Sequence, residues 1–146
     1  VSLSGHDLNG FALGPDNRIY FTIGDRAYNL KTKEGNHLYS KYEGACFRME
    51  KDGSNLEVVH YGLRNPKEVA FDQFGNLFSV DNNADLGDKA RVVDIIEGAF
   101  TGWNRGHQAF PYFTNIVKGT RRHKCPWMEE EQWMIDSKLR PRAILM

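Results

Sequence analysis

The chain has little cysteine, no net charge and no long apolar run, and each shortage excludes a class of protein. Its two cysteines among 146 residues, Cys46 and Cys125, form no haem-attachment motif and no zinc pattern. Two free thiols are favoured over a disulfide, which leaves the redox compartment undecided. The 19 basic and 19 acidic residues cancel, so no overall field favours a nucleic acid or an anionic membrane. No apolar segment approaches the length of a membrane-spanning helix.

What the chain does contain is a succession of short apolar segments separated by turn residues. The turns contain glycine or asparagine, which accept the positive φ that tight hairpins require. Little helix is expected before residue 104, and the strands should form two similar antiparallel sheets. The predicted strands cover residues 8–14, 18–24, 45–50, 55–61, 67–72, 76–80 and 91–97.

An internal repeat relates the two halves of this pattern at an offset of 58 residues. Residues 11–17 align with residues 69–75, and His6 aligns with Arg64. Identity between the copies is low, so the repeat depends on the matching order of strand, turn, strand and polar loop. A β-type repeat of this length is typical of propeller blades with four strands each.

The repeat therefore predicts an all-β fold made of propeller blades. Propellers usually have four to eight blades, whereas this length holds about two to three blades at the observed repeat. Because the chain also begins with Val1 rather than methionine, we expect a fragment of a longer protein. Residues 1–103 are predicted to form blades, and residues 104–146 a loop-rich continuation of the same propeller.

Two groups of polar residues near strand ends are candidates for chemistry. His6 precedes the first strand and could act as a general base, because histidine titrates near neutrality; a purely structural histidine is the alternative. Arg64 and Asn65 precede Pro66, which restricts the backbone and gives a rigid loop. The arginine fork suits planar, anionic, oxygen-rich ligands, and an ion pair that caps the loop is the alternative.

A third candidate is the acidic loop over residues 81–88, which contains Asp81, Asp85 and Asp88. Hard cations such as calcium take six to eight oxygen ligands from carboxylates and carbonyls. The loop lacks the ligand spacing of an EF-hand, and solvated turn residues are the alternative. Since equivalent positions in successive blades are related by rotation, we expect all three candidates on one face, near the propeller axis.

Several segments taken together carry a resemblance to a known family. They are Gly5-His6-Asp7, Gly14-Pro15-Asp16, Ile19 to Asp25, Gly62 to Pro66 and Gly98 to Trp103. In order and spacing they resemble the soluble glucose/sorbosone (aldose) dehydrogenases. A closer resemblance, carried by Gly75 to Phe78 and Asp81 to Asp88, is to the membrane-bound dehydrogenase-type domain of large exported bacterial proteins, which is often fused to c-type cytochrome modules.

The resemblance implies a fragment of a six-bladed β-propeller that binds pyrroloquinoline quinone and calcium and oxidises a sugar. His6 matches the family's general base, and Arg64 and Asn65 match the loop that contacts the quinone oxygens. Asn83 and Ala84 stand where the family has a Gly-Pro pair whose carbonyls bind calcium. The family also implies a periplasmic or otherwise exported location, and a c-type cytochrome as electron acceptor in the full-length protein.

Two other functions remain open at this point. One is a calcium-dependent propeller lactonase or hydrolase, in which metal-bound water attacks an ester and Asp81 is the best local ligand. The other is a non-catalytic carbohydrate-binding propeller module, which the missing Gly-Pro pair favours. The basic residues that clamp the cofactor in the family would lie beyond Met146.

Overall fold

The computed structural model describes residues 5–82, 90–105 and 144–145, and the elements defined there are eleven β-strands. Within the described ranges there is no helix with the length and apolar character needed to cross a bilayer. The strands are β1 (Leu8–Leu13), β2 (Ile19–Ile23), β3 (Tyr28–Lys31), β4 (His37–Ser40), β5 (Gly44–Met49), β6 (Glu57–Leu63), β7 (Val69–Phe71), β8 (Leu77–Asp81), β9 (Arg91–Asp94), β10 (Ala99–Phe100) and β11 (Ile144–Leu145).

The strands form three sheets, in which most neighbours are antiparallel. The largest sheet has the order β1-β2-β5-β6-β10-β11, and β3 and β4 form a separate hairpin between β2 and β5. The third sheet is the antiparallel meander β7-β8-β9. Within the largest sheet, β1, β2, β5 and β6 form an antiparallel four-stranded unit. Four-stranded antiparallel sheets are the blades of a propeller, so the prediction of an all-β propeller fragment is confirmed.

The seven predicted strands are all present, but the bounds of two strands and the number and pairing of the sheets were wrong. The strand predicted over 55–61 runs instead from Glu57 to Leu63, and the one predicted over 91–97 ends at Asp94. The prediction of two sheets missed the β3–β4 hairpin and the parallel pairing of β10 with β6. Parallel pairing joins segments distant in sequence, which a local pattern does not reveal.

Four hairpins use one turn geometry, and this geometry supports the repeat. In each turn the third loop residue has a positive φ and its N–H donates to the carbonyl three residues earlier, as in three-residue hairpin loops. Asn17 (φ 65°) and Gly75 (φ 86°) occupy aligned positions of the 58-residue repeat. The four pairs are Asn17 with Gly14, Gly35 with Thr32, Gly53 with Glu50, and Gly75 with Asp72.

Two apolar clusters lie on opposite faces of the largest sheet. The first lies between this sheet and the β7-β8-β9 sheet, and it contains Tyr20, Cys46, Val59, Leu63, Val69, Leu77, Val93 and Ile95. The second contains Phe21, Ile23, Ala45, Phe47 and Tyr28 from the β3–β4 hairpin. Cys46 is a buried free thiol whose pKa is raised by burial to about 12, so it serves packing; Cys125 lies outside the described residues.

Strand direction brings several polar loops to one end of the sheets. β2 ends where β1 begins, since Leu8 pairs with Ile23, and β6 ends where β5 begins, since Gly44 pairs with Leu63. β10 runs parallel to β6, so the segment after β10 reaches the same end. The loops that contain His6, Asp25, Arg64 and Trp103 therefore meet there.

Candidate functional site

His6 and Asp25 form a buried pair at this end of the largest sheet. His6 Nδ1 lies 2.7 Å from Asp25 Oδ1, and the two residues are 9% and 1% exposed. A carboxylate accepts hydrogen bonds, so Nδ1 carries the proton and donates. The Nε2 atom of His6 is then the nitrogen with the lone pair, the arrangement that a general base requires.

The second oxygen of Asp25 accepts a hydrogen bond from Trp103. The indole Nε1 lies 2.8 Å from Asp25 Oδ2, and Trp103 is 3% exposed. The backbone N–H of Trp103 donates to the Gly62 carbonyl at 3.0 Å, which fixes the segment after β10 against the end of β6. Both carboxylate oxygens of Asp25 are thus held by side-chain donors from distant parts of the chain.

Arg64 completes a connected cluster with these three residues. Its guanidinium carbon lies 5.3 Å from the centre of the Trp103 ring, within the range of a cation–π contact. The Arg64 carbonyl accepts the backbone N–H of Asp25 at 2.8 Å. His6, Asp25, Trp103 and Arg64 are therefore linked by direct contacts, and the structure brings together the two residues that the sequence singled out for catalysis.

Close approach of the His6 and Arg64 loops depends on Gly24. A Cβ added at Gly24 would lie 2.9 Å from the His6 carbonyl oxygen and 3.1 Å from that of Arg64. Contacts this short with backbone atoms cannot be relieved by a side-chain rotation, so the glycine permits the two loops to meet. The Lys67 ammonium adds a hydrogen bond to the Gly5 carbonyl between the same two loops.

Asp81 shapes the loop that carries Arg64 and Asn65. Its carboxylate is fully buried and accepts the backbone N–H groups of Arg64 at 2.9 Å, Asn65 at 2.7 Å and Asn82 at 2.9 Å. Burial raises the pKa of Asp81 to about 6, against the opposing effect of these three amides. Both oxygens of Asp81 accept backbone N–H groups, which gives this carboxylate a structural role, and its interpretation as a cation ligand stays a prediction.

Asn65 presents a buried amide at the same place. The residue is 5% exposed, and its side-chain Oδ1 has no hydrogen-bond partner among the described residues. Buried polar atoms are usually paired, so such an atom in a loop next to a guanidinium suggests a ligand position. The acceptor suits a ligand N–H or O–H, and Arg64 suits ligand oxygens.

The predicted metal ligands fall outside this description. Asn83, Ala84 and the rest of the acidic loop through Asp88 lie outside the described residues. Within the described part of the chain no group of three or more histidine, cysteine, aspartate or glutamate side chains could hold a metal ion. The calcium site therefore stays a prediction.

Sequence reasoning missed the roles of Asp25 and Trp103. Both lie in segments that carry the family resemblance, yet neither stood out by charge clustering or motif. A signal was present in Asp25, which lies two residues after the buried strand β2, much as Asp81 ends β8. No comparable signal marks Trp103, because its contact with Asp25 joins residues 78 positions apart in the sequence.

Chemically, the cluster combines an oriented imidazole with a buried cation and an amide. A carboxylate that holds Nδ1 of an imidazole fixes its tautomer and supports proton uptake at Nε2. A guanidinium nearby stabilises negative charge that develops on an oxygen. This combination can remove a proton from a hydroxyl while holding an oxygen-rich partner.

Three comparisons relate the chain to known proteins. Residues 4–119 match a family model described as a domain of unknown function, DUF7133. Quinoprotein glucose dehydrogenase B of Acinetobacter calcoaceticus is 29% identical over 128 residues, which cover 70% of this chain and 26% of that protein. The PQQ-bound aldose sugar dehydrogenase (Adh) from Streptomyces coelicolor matches with a TM-score of 0.49 and 24% identity, over 67% of this chain and 30% of that chain.

The chain thus spans about a quarter of the length of the curated relative that it matches. The predicted resemblance to the glucose dehydrogenase family is confirmed, since the chain is similar to a quinoprotein glucose dehydrogenase. Because the family model covers most of the sequence, the chain belongs to the DUF7133 family of domains of unknown function.

Proposed function

We propose that this chain supplies the base and the cofactor-contacting loop of a propeller dehydrogenase that oxidises a sugar or related alcohol with pyrroloquinoline quinone. The observation that carries the proposal is the linked cluster of His6, Asp25, Trp103 and Arg64 at one end of the sheets. The 29% identity to a quinoprotein glucose dehydrogenase supports the same class of chemistry.

In this proposal His6 is the general base. Its Nδ1 proton is committed to Asp25 at 2.7 Å, so Nε2 takes the proton of the substrate hydroxyl, the anomeric one in an aldose. Asp25 orients the imidazole and stabilises the imidazolium that forms, as a buried carboxylate does in other histidine–carboxylate pairs. The near-complete burial of Asp25 keeps water from competing for its oxygens.

The residues of the second loop fit the quinone by their donor and acceptor chemistry. Arg64 would bind its oxygens, and the buried Oδ1 of Asn65 would accept a ligand N–H. When bound, the quinone supplies the two-electron acceptor for the hydride that leaves the carbon being oxidised. Arg64 stabilises negative charge beside it, because a guanidinium stays protonated throughout.

Calcium belongs to the proposal through the carbonyls of Asn83 and Ala84, as the family resemblance implies. Asp81 is left out of the ligand set, since its oxygens accept three backbone N–H groups. The same contacts weigh against the lactonase alternative, which needs Asp81 as a central metal ligand. An exported location and a c-type cytochrome acceptor complete the proposal for the full-length protein.

The test is reconstitution of the full-length protein. Quinone binding is measured by titration calorimetry with and without calcium, and aldoses are then scanned with an artificial electron-accepting dye. We expect quinone binding that is lost on calcium chelation, and sugar-dependent dye reduction. If the wild-type protein binds no quinone at saturating calcium, the proposed dehydrogenase function is contradicted. Sugar binding that is retained in that case would favour the carbohydrate-binding module.

A further inference from the structure

Trp103 joins the two halves of the candidate site through chemically different contacts. Its Nε1–H donates to Asp25 Oδ2 at 2.8 Å, and its ring lies 5.3 Å from the guanidinium carbon of Arg64. The side chain is held in turn by burial and by the backbone bond from Trp103 to Gly62. One rigid ring therefore contacts both the residue that orients the base and the residue that faces the cofactor.

The N–H contact controls the direction of the carboxylate. An indole nitrogen only donates, so it can only hold Oδ2 of Asp25 and cannot compete for the imidazole proton. With Oδ2 fixed, the carboxylate plane is fixed, and Oδ1 points to His6 Nδ1. Without this donor the buried carboxylate loses a hydrogen bond and its plane can rotate. The His6 imidazole then samples several orientations and spends less time in the one that suits proton transfer.

The ring contact controls the guanidinium. A flat aromatic face restricts a guanidinium to orientations over the ring, and the attraction is stronger where both groups are buried, as Arg64 and Trp103 are. This contact needs the ring but not the indole N–H. The two contacts of Trp103 can therefore be separated by substitution.

We propose that Trp103 is a positioning residue with two separable effects: its N–H orients the Asp25–His6 pair for proton transfer, and its ring orients Arg64 for cofactor binding. The proposal deepens the proposed function and rests on it. A tryptophan that only fills space would be replaceable by another aromatic ring, and this difference makes the proposal testable.

Two substitutions separate the effects in the full-length protein. Trp103→Phe keeps a ring beneath Arg64 and removes the N–H, so kcat should fall on the order of tenfold while the Kd of pyrroloquinoline quinone stays within about twofold. Trp103→Leu removes both contacts, so the quinone Kd should also rise on the order of tenfold. Phenylalanine thus restores cofactor affinity relative to leucine, but not kcat.

Tyr20→Phe is a matched control. Tyr20 is also a buried aromatic whose polar atom donates to a carboxylate, Asp16 Oδ2 at 2.9 Å, but at the opposite end of β2. Tyr20→Phe should lose stability without changing kcat or the quinone Kd. In the Asp25→Asn background, Trp103→Phe should lower kcat by less than about twofold more, because both substitutions act through His6.

A spectroscopic readout tests the positioning without cofactor. In quinone-free protein labelled with ¹⁵N-histidine, Trp103→Phe should shift the Nδ1–H resonance of His6, and Tyr20→Phe should leave it in place. If Trp103→Phe matches Tyr20→Phe in kcat and in this resonance, Trp103 is a packing residue and the proposal is overturned.

If the wild type binds no quinone, the proposed function fails, and the resonance alone decides whether Trp103 orients His6. A Trp103→Leu variant that does not fold leaves the phenylalanine variant and the resonance as the deciding measurements.

Discussion

Asp25 and Asp81 are both buried carboxylates at the end of the second strand of a sheet, yet they bind different kinds of donor. Asp25 accepts hydrogen bonds from two side chains, the His6 imidazole and the Trp103 indole. Asp81 accepts three bonds from backbone N–H groups in the Arg64 and Asp81 loops. One carboxylate therefore orients side chains, and the other fixes the path of a loop.

The difference shows how a repeated scaffold acquires unequal sites. His6 and Arg64 occupy aligned positions of the repeat. In the first copy the side chain of His6 reaches the carboxylate, whereas in the second copy the backbone N–H of Arg64 does so and the guanidinium faces Trp103. Each of the two sheets has a buried carboxylate near the end of its second strand, and the residue type in the preceding loop decides whether that carboxylate orients a side chain or holds a loop backbone.

The largest expected effect comes from removing the imidazole that Asp25 orients. In the full-length protein reconstituted with quinone and calcium, His6→Ala should lower kcat for an aldose on the order of a hundred- to ten-thousandfold, because a positioned general base is lost. Dye reduction measures the rate. His37→Ala is the control, since His37 is an exposed imidazole on β4. A His6→Ala enzyme that keeps more than about a tenth of the wild-type kcat would show that another group takes the proton.

Asp25→Asn tests whether Asp25 acts through His6. The amide has one acceptor oxygen for two donors, so either His6 or Trp103 loses its partner. We expect kcat to fall on the order of a hundredfold, part of the general-base contribution. Combined with His6→Ala the substitution should add little, because residues that act as a unit are not additive. If the effects of the two substitutions on kcat add in full, Asp25 does not act through His6.

The sequence was sufficient for the strands and for part of the site. Alternating apolar residues and positive-φ turn residues such as Asn17 and Gly75 mark the hairpins locally. The β3–β4 hairpin was missed although the Glu34-Gly35 turn and its flanking residues Tyr28, Leu30 and Leu38 carried the same signal. The signal for this hairpin is local but weak, because each of its strands has only four residues.

The contacts that link the four residues of the cluster could not be predicted from local sequence patterns. His6 and Arg64 were predicted from residue type and from the family resemblance, and the structure brings them together. The contact of Asp25 with Trp103 arises because β10 pairs in parallel with β6 and delivers the segment after β10 to the same end of the sheet. Long-range strand pairing determines this contact, and no periodicity within either segment encodes it.

Asp81→Asn should chiefly affect the shape and stability of the Arg64 loop. An asparagine would turn its NH₂ group toward backbone donors that Asp81 now satisfies at 2.9 and 2.7 Å. We expect the free energy of unfolding to fall by about 1–3 kcal/mol, the usual cost of leaving buried donors unpaired. Asp72→Asn is the control, because Asp72 also accepts backbone N–H groups, from Phe74 and Asn76, but in an exposed turn. Denaturant unfolding measures the free energy of unfolding of both variants. Equal losses would show that Asp81 stabilises its loop no more than an exposed turn aspartate does.

The smallest expected effect concerns His60, a buried imidazole that lies outside the cluster. Its Nδ1 donates to the Ile96 carbonyl at 3.0 Å, and its Nε2 accepts the Thr101 hydroxyl proton. Burial lowers the pKa of His60, while the bond to Ile96 and the charge of Asp94 act more weakly in the opposite direction. The lowered pKa favours the neutral imidazole in native His60 at pH 7, and the ring packs between β6 and the loop around β10.

The sign of the pH dependence follows from this lowered pKa. Below the ordinary histidine pKa of 6.5 the unfolded chain binds a proton that native His60 resists. The contribution of His60 to stability is thus present above pH 6.5 and is lost as the pH falls through the lower native pKa. The free energy of unfolding of the wild type minus that of His60→Asn should shrink from about pH 7 to about pH 5, by less than the Asp81→Asn loss. A difference that stays constant with pH would mean that His60 titrates normally in the native protein.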